Sequence, residues 1–203
     1  MTSQLNAVVF DIGGVLIDWN PRHLYAKLID DPRELDWFLA NVVTHDWHFQ
    51  HDAGRSVTET VPELSARFPR YAKLIGLYGP RWLETIAGPV PGVWPLVEGL
   101  AARGVPLFAI TNFSAEFFPA FRDACPVMRH FRDVVVSGEE KVMKPARRLY
   151  DIAMARFGLA PGEALFVDDR ADNVAASETV GLVGHHFTDA ARLETALVEA
   201  GLL

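Results

Sequence analysis

Four short stretches of the chain carry side chains able to do chemistry. Asp11 closes the apolar run AVVFD, Thr111-Asn112 follow VPLFAI, Lys144 sits in VMKP, and Asp168-Asp169 close ALFVDD. Carboxylates brought together repel one another and resist ionisation unless a cation neutralises them. Magnesium is a hard ion that prefers oxygen and is held by one or two carboxylates plus phosphate oxygens and water. A lysine and a hydroxyl beside such an ion suit a phosphate. An aspartate carboxylate can attack phosphorus to form an aspartyl-phosphate, while cation and lysine stabilise charge on the transferring group. The set becomes a site only if folding gathers it, because a lone aspartate at a strand end is ordinarily a turn or capping residue.

The elements that must position these residues alternate between strand and helix. Residues 7–11 form an apolar, β-branched run closed by Gly13-Gly14, and further strand patterns cover 105–111, 133–136 (DVVV), 164–168 and about 182–187. Between them lie helical patterns at about 93–103 stopped by Gly104, from Ala115 with Ser114 as cap, at 147–157 stopped by Gly158, at 172–180 stopped by Gly181, and from 189 onward. Such alternation predicts an α/β fold, a Rossmann-like parallel sheet with helices on both faces. Ligands of open parallel sheets bind beyond the carboxyl ends of the strands. Asp11, Thr111, Asn112, Asp168, Asp169 and the loop bearing Lys144 would therefore converge on one edge.

The first strand is separated from the others by a block without strand signal. Asn20-Pro21 and Asp31-Pro32 each read as a helix start, with the polar residue as cap and proline at the first helical position. Helical patterns also cover about 57–68 and 70–86, and GPVPG at 88–92 breaks the chain. The chain thus divides into a split core, 1–17 with 92–203, and a helical insertion, 18–91. Within the insertion the polar and aromatic stretch THDWHFQHDAGRS at 44–56 reads as a loop. It holds His45, His48, His51, Asp52 and Arg55, and two readings stay open: a specificity loop, where Arg55 grips an anion and a histidine donates a proton, or a solvated linker. Trp37, Trp47, Trp82 and Trp94 read as packing residues and Glu139-Glu140-Lys141 as an exposed turn.

Composition narrows the classes. A chain of 203 residues that is 50% hydrophobic can bury a sizeable core. The net charge of −7 leaves no basic face for nucleic acid. Cys125, the single cysteine, can form neither an intrachain disulfide nor a zinc framework. No apolar stretch is long enough to span a bilayer, and the run at Val8–Phe10 is too short for a signal peptide, so a cytoplasmic protein with no membrane partner is expected. Nothing in the sequence indicates the oligomeric state.

The string VVFDIGGVL resembles the first motif of the haloacid dehalogenase superfamily, FAITNFS the second, VMKP the third and FVDDRADNVAA the fourth, in the family's order over essentially the whole chain. The resemblance implies that Asp11 is the nucleophile and, with the backbone carbonyl of Gly13, a magnesium contact. It implies phosphate binding by Thr111, Asn112 and Lys144, direct magnesium ligation by Asp169, a supporting role for Asp168 in the metal site, and Asn173 behind them. The insertion would be a helical cap. A small phosphorylated metabolite is the implied substrate class. Phosphatases of this superfamily usually carry a second aspartate two residues after the nucleophile, as general acid and base. Here Gly13 stands there, as in a similar subset of sugar-phosphate phosphatases. Unless Asp18 or a histidine at 48 or 51 supplies the proton, expulsion of the leaving oxygen should suffer. Two alternatives accompany the phosphatase reading: carbon–halogen hydrolysis, whose branch lacks the acidic pair of the fourth motif, and a catalytically weak protein that binds a phosphorylated ligand.

Overall fold

The computed structural model describes residues 5–203. Five parallel strands form the central sheet: β1 (Ala7–Phe10), β4 (Leu107–Thr111), β5 (Asp133–Val136), β6 (Ala164–Asp168) and β7 (Val183–His186), in the order β5-β4-β1-β6-β7. All four side chains of β1 are buried, as befits a central strand covered on both faces. Val8 and Phe10 face one layer, with Leu107, Ala109, Leu193 and Leu197. Ala7 and Val9 face the other, with Phe108, Phe166, Leu149 and Tyr150. Each fully buried large apolar side chain here contributes about 1.5–3 kcal/mol. From β1 the chain adds β4 and β5 on one side, then crosses back to add β6 and β7 on the other. That reversal opens a crevice at the carboxyl ends of β1 and β6.

Between β1 and β4 lie β2 (Ile17–Trp19), helices α1 (Pro21–Tyr25), α2 (Pro32–Asn41), α3 (His45–Asp52), α4 (Val57–Arg67) and α5 (Ala72–Gly76), then β3 (Ile86–Pro89) and α6 (Val93–Ala102). Helices α1–α5 contribute nothing to the five-stranded sheet. They leave and return through β2 and β3, which pair antiparallel with Ile17 opposite Pro89 and a bulge between Asp18 and Trp19. Val90 N–H and the Trp94 indole both donate to Leu16 O, which ties the foot of this ribbon to β1's loop. The remaining helices are α7 (Phe118–Ala124), α8 (Ser137–Glu140), α9 (Arg147–Phe157), α10 (Ala171–Glu178) and α11 (Ala190–Glu199). Among the described residues no helix is long and apolar enough to cross a membrane.

Several local expectations need correction. Residues 45–52 are a helix, not a loop, and the Thr44 hydroxyl caps it by accepting from Trp47 N–H at 3.1 Å. Its buried positions, Trp47, His48, His51 and Asp52, have helical spacing, but three of the four are polar, so no apolar stripe announces them. The pattern at 70–86 breaks into α5 flanked by single 3-10 turns at 69–71 and 82–85, with Gly79-Pro80 between. The helix expected from Ala115 starts at Phe118; Ser114 instead holds a turn, its hydroxyl accepting from Glu116 N–H. Residues 137–140 form one helical turn that ends on Lys141 at φ 55°. Trp37 is half-exposed, lying over Phe68 and Tyr71 rather than in the core.

His51 fastens α3 to α4 by its Nε2, which shares a 2.7 Å hydrogen bond with the Thr60 hydroxyl. Burial, and then the neighbouring His48, lower its pKa to about 4. An imidazole held neutral in the fold but titrating normally when unfolded adds stability above pH 6.5, and that stability is lost as the pH falls through 4. Urea titrations between pH 7 and 4 should therefore show a midpoint that drops on acidification, and His51→Gln should flatten that drop. An unchanged slope in the variant would mean His51 is not the group responsible.

Candidate active site

Asp11 leaves the carboxyl end of β1, and its Oδ1 accepts from the next backbone N–H, Ile12, at 2.6 Å. Asp168 ends β6 fully buried. Between the two carboxylates sits the ammonium of Lys144, 2.8 Å from Asp11 Oδ1 and 2.7 Å from Asp168 Oδ2. The lysine reaches this position because Asn112, just past β4, clasps its backbone. The Asn112 amide nitrogen donates to Lys144 O at 3.1 Å, and its oxygen accepts from Lys144 N–H at 2.8 Å. The side chain of Asn112 thus holds the lysine loop in place while still lining the cavity. Thr111 Oγ1, beside it, is buried with no hydrogen-bond partner among the described residues.

Asp168 is saturated. Its Oδ1 accepts from Arg170 N–H at 2.9 Å and from the Asn173 amide at 3.0 Å, and its Oδ2 accepts from Lys144 and, at 3.1 Å, from Asn173 again. Asp169 is different. It is exposed, its carboxylate takes no donor from another side chain among the described residues, and it lies with Asp11 and Asp168 in a group whose ligand atoms all fall within 4.8 Å of one another. Gly14 packs directly against it: at φ 74°, a Cβ there would stand 2.6 Å from Asp169 Oδ2. Gly13 has open space instead, with nothing within 4 Å of where its Cβ would be.

Burial pushes Asp11 up to about 7, against the pull of Lys144 and with help from Asp168 and Asp169. Asp169 is likewise raised by desolvation, and then by Asp168. Desolvation works to neutralise Lys144, but the two carboxylates outweigh it and raise its pKa. The cluster is therefore short of positive charge.

Above the carboxylates opens a cavity of about 300 Å³. Its floor is Asp11, Gly13, Gly14, Lys144, Asp169 and Asn173; its far wall comes from the inserted segment, with Ile17 and Trp19 of β2, His45, His48, Phe49 and Asp52 of α3, and Trp82. The two readings of 44–56 divide here: His45, His48 and Asp52 line the cavity, whereas Arg55 turns to Gln50 at 2.5 Å and Glu63 at 2.7 Å. Asp18 alternates with the cavity-lining Ile17 and Trp19, is exposed, and meets His23 at 3.3 Å. His51 is bound to Thr60. Trp19 and Tyr78 carried no signal in the sequence. The i, i+4 spacing of His48 and Asp52 was the available clue, and it needed the helix to be legible.

The profile of the family described as haloacid dehalogenase-like hydrolase matches residues 5–181. A sesquiterpene phosphatase of Aspergillus oryzae is 27% identical over 93% of this chain and 93% of its own. A phosphoglycolate phosphatase of Escherichia coli K12 is 25% identical over 88% of this chain and 79% of its own. Among solved structures, a HAD family enzyme of Bacteroides thetaiotaomicron, as its magnesium complex, superimposes with a TM-score of 0.72 at 17% identity, covering 93% of this chain and 95% of that one.

Removing the ammonium would leave two buried carboxylates facing each other. Lys144→Ala should cost about 3–5 kcal/mol in chelator, the usual penalty for breaking a buried pair from one side. The loss should shrink at pH 5. A folded-state pKa of about 7 for Asp11 means its protonated form is retained below that value and given up above it. Denaturant titrations at pH 5 and 8 check this; equal losses would contradict the electrostatic origin.

Proposed function

The chain belongs to the haloacid dehalogenase-like hydrolases, and on that premise we propose that it is a magnesium-dependent phosphatase cleaving a small phosphorylated metabolite through an aspartyl-phosphate on Asp11. The observation that carries the reading is the Lys144 ammonium shared by Asp11 and Asp168, with the unengaged carboxylate of Asp169 beside it. Two relatives named as phosphatases support phosphate-ester chemistry. The fold relative from Bacteroides thetaiotaomicron has been crystallised with magnesium and inorganic phosphate.

The donor set fits the ion. Three carboxylates offer oxygens within 4.8 Å of one another, and one ammonium does not neutralise them. Asp11 and Asp169 would hold magnesium directly, with the Gly13 carbonyl. Asp168, whose oxygens are all taken, would orient Lys144 and Asn173 instead. Bound there, magnesium supplies positive charge against the phosphoryl oxygens. Lys144 would meet a phosphoryl oxygen, and Thr111 Oγ1 would gain the partner it lacks. The Asp11 carboxylate, held by Ile12 N–H, attacks phosphorus in line with the leaving oxygen. Residues 18–91 would act as the cap, with the β2–β3 ribbon as its stem, excluding water while the acyl phosphate exists. The intact Asp168-Asp169 pair favours phosphorus over carbon–halogen chemistry.

Phosphate release from an aryl phosphate should require magnesium, and Asp11→Asn should abolish it, because the amide keeps the shape and removes the attacking anion. Turnover persisting in excess chelator would refute the scheme.

The two neighbouring aspartates should separate by calorimetry. Asp169→Ala should weaken magnesium binding more than Asp168→Ala does. Equal weakening, or the reverse order, would reassign the direct ligand.

A further inference from the structure

The phosphatase reading leaves a proton unaccounted for. An alcohol leaves phosphorus readily only if its oxygen is protonated, and the residue beside the nucleophile that would do so is Gly13, with empty space where a side chain would start. The opposite wall of the same cavity holds a carboxylate. Asp52, at the end of α3, is 2% exposed, and its Oδ1 is buried with no hydrogen-bond partner among the described residues. An unpartnered carboxylate oxygen in so dry a place is costly unless something supplies or takes a hydrogen bond there.

Its other oxygen belongs to a chain of groups. Asp52 Oδ2 lies 3.4 Å from His48 Nε2, one helical turn earlier. The Tyr78 hydroxyl meets His48 Nδ1. Burial holds that hydroxyl's pKa well above its ordinary value, so it stays protonated and donates to Nδ1. His48 Nε2 is then the ring nitrogen that faces Asp52. Trp19 lies against the imidazole with ring centroids 4.3 Å apart. Asp52 is also fixed against the sheet: the Ser137 hydroxyl donates to Asp52 O at 2.7 Å and accepts from Phe113 N–H at 3.0 Å, in the loop that follows Thr111-Asn112. The backbone at Asp52 is thus anchored to the loop that follows β4, on the edge that bears Asp11 and Lys144.

We propose that Asp52, oriented by His48 and Tyr78, is the proton donor and acceptor of this site, doing from α3 what Gly13 cannot. The proposal rests on the phosphatase reading. In the first step the Asp11 carboxylate forms a bond to phosphorus, and the bond from phosphorus to the substrate oxygen breaks, its electron pair staying on that oxygen. The proton carried by the Asp52 carboxyl passes to it, giving a neutral alcohol and the Asp52 carboxylate. In the second step water attacks the aspartyl-phosphate. One water proton returns to Asp52, the bond between phosphorus and Asp11 breaks, and inorganic phosphate leaves with Asp11 again a carboxylate. Asp52 is the catalytic residue, and His48 and Tyr78 are positioning residues.

The test is a rate series of phosphate monoesters from aryl to alkyl leaving groups, with magnesium, for the wild type, Asp52→Asn and His48→Gln. Asp52→Asn should lose at least about 10²-fold more rate on alkyl than on aryl esters, the low end of acid–base catalysis. On an aryl ester it should release a burst of about one phenol per site, because hydrolysis of the phosphoenzyme slows while its formation does not. His48→Gln should shift the series in the same direction by less, and carries the test if Asp52→Asn does not fold. Adding Gly13→Asp should recover alkyl turnover at least about 10-fold more in either variant than in the wild type. Uniform losses across the series without a burst would mean Asp52 is merely structural, and would overturn the proposal while leaving the phosphatase reading intact. A wild type that cleaves none of the esters with magnesium would overturn both.

Discussion

One buried ammonium organises this molecule's chemical edge. Lys144 is 4% exposed and stands between two carboxylates that would otherwise repel each other in a dry environment. Burying a charge is costly unless it is paired and hydrogen-bonded, and this arrangement demands partners from four separate parts of the chain. Asp11 comes from β1 and Asp168 from β6. Asn112, from the end of β4, holds the lysine's backbone at both its N–H and C=O. Asn173, from α10, donates to both oxygens of Asp168. Apart from the Asn173–Asp168 bonds, which span five residues, these contacts are not local in sequence, so the cluster is assembled only when the sheet has its final strand order. The same fact explains why the site lies at the reversal between β1 and β6, where the chain leaves two adjacent strands toward opposite sides of the sheet and their ends can face a common centre.

Much of the core was legible from the chain because its physics is local and periodic. The runs AVVF, LFAIT, DVVV and ALFVD are short, apolar and bounded by turn residues, and each is a strand of the sheet. Gly104, Gly158 and Gly181 follow helices and take φ values of 77°, 65° and 94°. The gathering of Asp11, Lys144, Asp168 and Asp169 also followed, because a parallel sheet brings strand ends together whatever the intervening loops do.

The inserted segment was harder to read, for a different physical reason. Its strands are three and four residues long, and one contains Gly88 and ends on Pro89, so neither carries a β signature; they exist because they pair with each other. Helix α3 buries two histidines and an aspartate beside its own Trp47, against Tyr78 and Trp19, and hydrophobic periodicity cannot detect a buried face made mostly of polar groups. Such a face must be satisfied by specific partners, and these are donors and acceptors far away in sequence: Tyr78 for His48, Thr60 for His51, Ser137 for the end of the helix. The grip of Asn112 on the lysine loop is hidden for the same reason: its amide matches a peptide unit 32 residues away, a contact that no local pattern announces.

The charge balance of the edge links its architecture to its proposed chemistry. With Asp11, Asp168 and Asp169 ionised against Lys144, the cluster carries three negative charges and one positive, a balance of two negative charges. Arg170 lines the same cavity but is held by Asp172 at 2.7 Å. A phosphate ester, itself an anion, would be repelled by this edge as it stands. The raised pKa values of Asp11 and Asp169 come first from burial and then from the neighbouring carboxylates, so each resists ionising at this edge. A divalent cation would cancel the imbalance and, in the proposed reaction, let Asp11 be an anion when it acts as the nucleophile. The pairing of Asp168 with Lys144 then has a second consequence. It leaves Asp169, the exposed member, as the carboxylate that can take up the ion without breaking the hydrogen bonds that hold the lysine in place.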